Sequence, residues 1–200
     1  MTVPEEVGSA VAEESARYAA LGWMRGTAGN LSVVLSRDPL RLAVTVSGRD
    51  KGELTASDVV MIDETGASLD PAKVPSAEAG LHGRIAAVSG AGAVVHVHVL
   101  APVVAAEYWP DGVELRDLEM LKGFGRAAHD DLVTIPVIPN SQDMRVLGDA
   151  FEAGYRADTP ALLVARHGIY VWGADLRQAR HRLECLEWLL RFAVETRLGA

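Results

Sequence analysis

Apolar residues recur along the chain in two rhythms, one near the helical period and one that alternates. Over residues 4 to 21 alanines interleave with charges, and Val7, Val11, Tyr18 and Leu21 fall at spacings that share a helix face, with Gly22 as the stop. The segments "NLSVVLS", "LRLAVTVS" and "DVVMID" are short, β-branched and separated by Asp, Pro, Gly or Ser, which predicts meandering antiparallel strands. "AEAGLHGRIAAVSG" returns to the helical rhythm, with Ser76 as its N-cap and Gly90 as its stop. Beyond it, "GAVVHVHVL" predicts a strand, "DLEMLKGFG" a short helix or turn, "LVTIPVI" a strand and "SQDMRVLGDAFEAGY" a helix. "PALLVARHGIYVWG" predicts two short strands bent at His167-Gly168. From its cap Asp175 to about Leu198, the last segment places Leu183, Leu186, Leu190 and Ala193 on one helix face. Strands and helices do not alternate strictly, so the pattern favours an α/β fold with a mixed, largely antiparallel sheet and helices on both faces. The 200 residues show no break in composition, which predicts one domain over residues 1–200.

Within "GAVVHVHVL" two imidazoles interrupt an apolar run. In a strand His96 and His98 point to one side while Val95, Val97 and Val99 point to the other. That spacing suits two nitrogens converging on a metal ion, and it also suits two satisfied histidines on a polar strand face. His167 favours the metal, because it follows a strand and precedes a glycine that permits a sharp turn. Three neutral imidazoles with positions left open describe a catalytic rather than a closed structural site. The remaining histidines take plainer roles: His82 packs in an apolar helix, His129 lies in the loop "AAHDDL", and His181 sits among arginines on a surface.

Charge narrows the partners. The formal net charge is −8 and the basic residues are scattered, which disfavours nucleic acid while leaving a phosphorylated metabolite open. The single cysteine, Cys185, cannot form an intramolecular disulfide and is expected to face the core of the last helix. The N-terminal stretch is acidic without an apolar core, and no apolar run reaches membrane-spanning length, so a soluble cytoplasmic protein is expected.

The motifs "TAGNLS", "SGRDKG", "PSAEAGLH", "GAVVHVHV" and "RHGIYVWG", in that order over nearly the whole chain, resemble the class II aldolase/adducin family. The resemblance implies a three-layer αβα fold with a central mixed, mostly antiparallel sheet. It implies one zinc ion per subunit held by His96, His98 and His167, and a ring-shaped homotetramer with sites near subunit interfaces. It also implies a phosphate site built from Gly29 and Asn30 of "TAGN", Ser47 and Gly48 of "SGRDKG", and Ser76 of "PSAE". Lys51 is the more family-like cation of that loop, ahead of Arg49. Glycine admits backbone close to an anion, and Ser or Asn supplies neutral donors.

Two carboxylates compete for the acid/base role. Glu78 matches the glutamate used by the aldolases of the family, and Glu119 in "LEMLKG" matches the one proposed for its dehydratases, although Leu118 stands where a polar residue is expected. "DLEMLKG" and "IPVIPN" look most like the dehydratase branch, which implies zinc-dependent dehydration of a methylthio-substituted ketopentose phosphate in methionine salvage. The rivals are a sugar-phosphate aldolase or 4-epimerase and, from another class, a non-catalytic adducin-like interaction module, which retention of three histidines and two glutamates disfavours.

Overall fold

The strongest β-branched runs lie side by side in a seven-stranded sheet. The structure is a computed structural model that describes residues 2–125 and 130–198, so the loop carrying His129 lies outside the described residues. In chain order the first half contains α1 (Glu5–Ala20), β1 (Asn30–Arg37), β2 (Leu40–Thr45), β3 (Val59–Ile62), α2 (Ala79–Ser89) and β4 (Ala93–Val97). The second half contains α3 (Leu100–Tyr108), β5 (Val113–Leu115), a 3₁₀ turn (Glu119–Leu121), β6 (Val133–Ile135), β7 (Val137–Ile138), α4 (Met144–Gly154), β8 (Ala161–Val164), β9 (Gly168–Gly173) and α5 (Leu176–Leu198). The sheet order is β3-β2-β1-β4-β9-β8-β7, antiparallel throughout except between β7 and β8. The mixed, mostly antiparallel sheet expected from the pattern is therefore present.

Strand alternation divides the core between two helical layers. Val95, Val97 and Val171 face one side, where Val11 and Tyr18 of α1, Ala105 of α3 and Leu183, Leu186 and Leu190 of α5 pack on them. Val94, Tyr170 and Trp172 face the other, against Leu81 and Ile85 of α2 and Leu147 and Phe151 of α4. Each fully buried aliphatic or aromatic side chain contributes about 1.5–3 kcal/mol, so both layers are held to the sheet by many such contacts. The predicted caps at Gly90, in the left-handed conformation, and at Asp175, whose Oδ1 accepts the Gln178 N–H at 2.7 Å, are both present.

Two local expectations are corrected and one helix goes unforeseen. α2 begins at Ala79 with Glu78 at the cap position, because Ser76 is used one step earlier, its carbonyl accepting the Ala79 N–H at 3.0 Å. "LVTIPVI" is not one strand: Pro136 has no N–H to continue a ladder, so β6 pairs with β5 in a separate ribbon while β7 joins the main sheet. α3 has no counterpart in the hydrophobic pattern, since "LAPVVAAEY" is apolar almost all round and carries no periodic signal, with Pro102 in the first turn where a missing N–H does no harm. Cys185 is free and half-buried against the core, and His181 is exposed, as expected. Among the described residues no helix is long and apolar enough to cross a membrane.

Candidate metal centre

The alternation of β4 puts His96 on the face opposite Val95 and Val97, fully buried. His98 follows just beyond the strand's end, its backbone N–H held by the Trp23 carbonyl at 3.1 Å. Antiparallel pairing sets His96 opposite Tyr170 and Val97 opposite Ile169, so the turn leading into β9 delivers His167 beside that same end of β4. Arg166 takes the left-handed conformation in this turn (φ 56°). Gly168 is required for a different reason: a Cβ there would collide with the Val97 carbonyl and lie 3.0 Å from His96 Cε1 and 3.2 Å from His98 Cδ2.

The three rings meet edge to face, with centroids 4.7 to 4.9 Å apart. His96 Nε2 and His98 Nε2 are 2.8 Å apart. Glu78, entering from the start of α2, places Oε2 3.3 Å from His96 Nε2 and Oε1 3.1 Å from His167 Nε2. The four ligand atoms lie within 4.8 Å of one another.

Hydrogen bonds set the tautomers. His96 Nδ1 donates to the Ile169 carbonyl at 3.0 Å, and His167 Nδ1 lies 3.2 Å from Asn140 Oδ1, so both rings turn an Nε2 lone pair toward the cluster. Burial lowers the His96 pKa to about 3 against the attraction of Glu78, and His98 is lowered by burial and by His167. Burial opposes the charge on Glu78, yet the attraction of the nearby histidines and the hydrogen bond from Asn30 outweigh it and hold the carboxyl below the usual range.

Three neutral imidazoles and one carboxylate are the donors a divalent ion of the zinc type takes. Four ligands at about 2.0–2.1 Å around such an ion stand about 3.4 Å from one another. Separations of 2.8, 3.1 and 3.3 Å, in a set whose members all lie within 4.8 Å of one another, come close to that arrangement, so the residues fit a metal ion.

Two residues at this site escaped sequence reasoning. His82 is not merely packed: its Nε2 faces Asn30 Oδ1 at 2.5 Å and its Nδ1 faces Ser32 Oγ at 2.7 Å. The signal was its position one turn after Glu78, which puts both on one side of α2. Tyr170 stacks on His96 at 4.1 Å, and burial together with the Glu78 charge raises its hydroxyl pKa well above the usual value.

Asn30, 3% exposed, donates its Nδ2 to Glu78 Oε2 at 2.7 Å, and Gly29 (φ 79°) packs so closely that a Cβ would lie 3.0 Å from the His96 carbonyl. Lys51 is 2% exposed and bonds backbone carbonyls, while Ser47 and Gly48 form an exposed turn. Ser76 is half-buried, its Oγ accepting from the Glu78 N–H at 3.4 Å. Glu119 is not in the cluster: it lies exposed on the 3₁₀ turn, paired with Lys122 at 2.8 Å, on the layer that contains α5. A cavity of about 660 Å³ opens beside His98, walled by Trp23, Arg25, Leu100, Val104 and Arg191.

A three-layer αβα fold with three histidines and a glutamate converging at one end of its central strands defines a metal-centre protein of the class II aldolase type. The chain belongs to the family described as Class II Aldolase and Adducin N-terminal domain, which it matches over residues 9–194. It is 39% identical to the methylthioribulose-1-phosphate dehydratase of Granulibacter bethesdensis, across 97% of this chain and 94% of that protein. A protein of the same name from Persephonella marina is 35% identical, across 86% of this chain and 81% of the relative. The crystal structure of L-fuculose-1-phosphate aldolase from Thermus thermophilus superposes with a TM-score of 0.78 at 23% identity, covering 96% of each chain, which speaks to the fold.

Proposed function

We propose that this protein is a zinc-dependent hydro-lyase that dehydrates 5-methylthioribulose 1-phosphate to 2,3-diketo-5-methylthiopentyl 1-phosphate in methionine salvage. The observation that carries the proposal is 39% identity to a methylthioribulose-1-phosphate dehydratase across 97% of the chain. The cluster of His96, His98, His167 and Glu78 supports it chemically.

In this reading His96, His98 and His167 hold the metal through Nε2. When bound, the ion supplies Lewis acidity that makes the C–H beside the substrate's ketone removable. Ile169 and Asn140 keep the rings oriented for that task through Nδ1. Dehydration then needs one proton removed and one delivered to the departing hydroxyl. Glu78, ionised within the cluster, would serve the ion as a fourth donor before substrate arrives and is the proposed base. Glu119 is the proposed acid, reaching the site from a neighbouring copy in the homotetramer, since on its own chain it lies on the other helical layer. Gly29, Ser47, Gly48 and Ser76 receive the phosphate through backbone and hydroxyl donors. The side chains of Asn30 and Lys51, already engaged, shape that pocket instead.

One observation favours a sugar-phosphate aldolase as the second reading: Glu78 is in the cluster and Glu119 is outside it. Assaying methylthioribulose 1-phosphate beside fuculose and ribulose phosphates, with metal analysis on the same preparation, separates the two. Diketone formation supports the dehydratase. Aldehyde release with no diketone supports the aldolase, and a protein with neither metal nor turnover is an adducin-like module.

A further inference from the structure

A buried series of hydrogen bonds runs from the sheet interior to the metal cluster. Ser32 Oγ is 2.7 Å from His82 Nδ1, His82 Nε2 is 2.5 Å from Asn30 Oδ1, and Asn30 Nδ2 is 2.7 Å from Glu78 Oε2. Ser32 and His82 are fully buried and Asn30 is 3% exposed, so no solvent competes for these groups. Their direction is determined from the cluster outward. An ionised Glu78 only accepts, which turns the Asn30 amide nitrogen toward it and the amide oxygen toward His82. That oxygen needs an N–H, so His82 carries its proton on Nε2, and the lone pair left on Nδ1 takes the Ser32 hydroxyl proton. Reversing any one member sets two acceptors or two donors face to face in a dry interior, at the cost of a lost hydrogen bond and its desolvation.

The imidazole is held in place to do this. His82 sits one turn into α2 from Glu78, and its ring meets Tyr170 edge-on at 5.8 Å, the same Tyr170 that stacks on His96. Burial pulls its pKa down to about 4, which keeps a single neutral tautomer at ordinary pH.

We propose that His82 is a positioning residue of the metal centre, acting through Asn30 to aim the Glu78 carboxylate at the ligand histidines. It touches neither substrate nor metal. Without its N–H the Asn30 amide is free to turn its oxygen toward Glu78, and the bond that orients Oε2 is lost. This inference rests on the metal-centre reading above but not on the identity of the substrate.

The test uses the full chain loaded with cobalt(II), whose visible absorption reports the number and arrangement of ligands. His82→Leu is expected to bind cobalt(II) about 10- to 100-fold more weakly, the usual effect of removing an outer partner of a metal site, and to show a changed band pattern. His82→Gln, whose amide nitrogen can still donate to Asn30 Oδ1, is expected to recover the wild-type spectrum, which a purely packing role for the ring would not predict. Asn30→Leu cuts the series at its other link and is expected to reproduce the His82→Leu spectrum, so the inference stays testable if one variant folds poorly. Wild-type binding with unchanged spectra and affinity in the leucine variants overturns the positioning role alone. A wild-type chain that takes up no cobalt(II) overturns the metal centre and the positioning role together.

Discussion

The Lys51 ammonium donates to the Thr27 carbonyl at 2.9 Å and so ties the loop bearing Gly48 to the loop bearing Gly29 and Asn30. A second bond of 2.9 Å goes to the Arg49 carbonyl, and the residue as a whole is 2% exposed. The lysine that the family resemblance offers as a phosphate cation is held between these two loops. Lys51→Met is expected to lower the stability of the protein by about 2 kcal/mol in urea unfolding, because charge-assisted hydrogen bonds are lost while a buried charge is also removed. Full stability with a raised KM for the phosphorylated substrate would instead make Lys51 a phosphate ligand.

His96 is held by the Ile169 carbonyl and by Tyr170 so that its Nε2 faces the cluster. Elemental analysis of His96→Ala should therefore show bound metal far below that of the wild type. Equal metal content in the two proteins removes His96 from the ligand set.

Gly168 leaves the space in which the ligand rings and the Val97 carbonyl come together. Adding one methyl group as Gly168→Ala should cost about 1–3 kcal/mol by overpacking and weaken metal binding at the same time. Thermal unfolding and a metal titration read the two effects, and an unperturbed titration would show that the rings tolerate displacement.

Glu119 and Glu78 are separable by substitution because only Glu78 lies among the ligand atoms. Glu119→Gln should retain metal and lose turnover by about 10²- to 10⁴-fold, the range for a general acid or base. Near-normal dehydration by that variant would leave Glu78 to handle both protons.

His82 gives the protein a pH-dependent stability with a definite sign. Its folded pKa of about 4 lies below the ordinary 6.5, so between those values the unfolded chain binds a proton that the folded chain refuses. Stability from this group is complete above about pH 6.5 and falls away as the pH drops toward 4, by about 3 kcal/mol in total. Comparing urea unfolding of wild type and His82→Gln across that window isolates the contribution. Parallel pH profiles would mean that His82 titrates normally.

Period and punctuation by themselves determined much of this protein. Alternation along β4 put His96 on the face opposite Val95 and Val97, because side-chain direction in a strand is a local property. Gly90 and Asp175 marked helix ends through equally local chemistry, and the ordered motifs carried the family. Tertiary structure decided which groups the local signals would meet. Pairing of β1 with β4 set Asn30 opposite His96, and pairing of β9 with β4 brought His167 and Tyr170 to the same place. Those registers turned a packing histidine, His82, into a member of a hydrogen-bonded series through Asn30, and the fold likewise gave Lys51 two backbone carbonyls as partners. They also placed Glu78 among the ligand atoms and left Glu119 on the other layer. A polar side chain takes its partner from whatever the fold brings within about 3 Å of it in a space without water, and residue spacing along the chain carries no record of that distance.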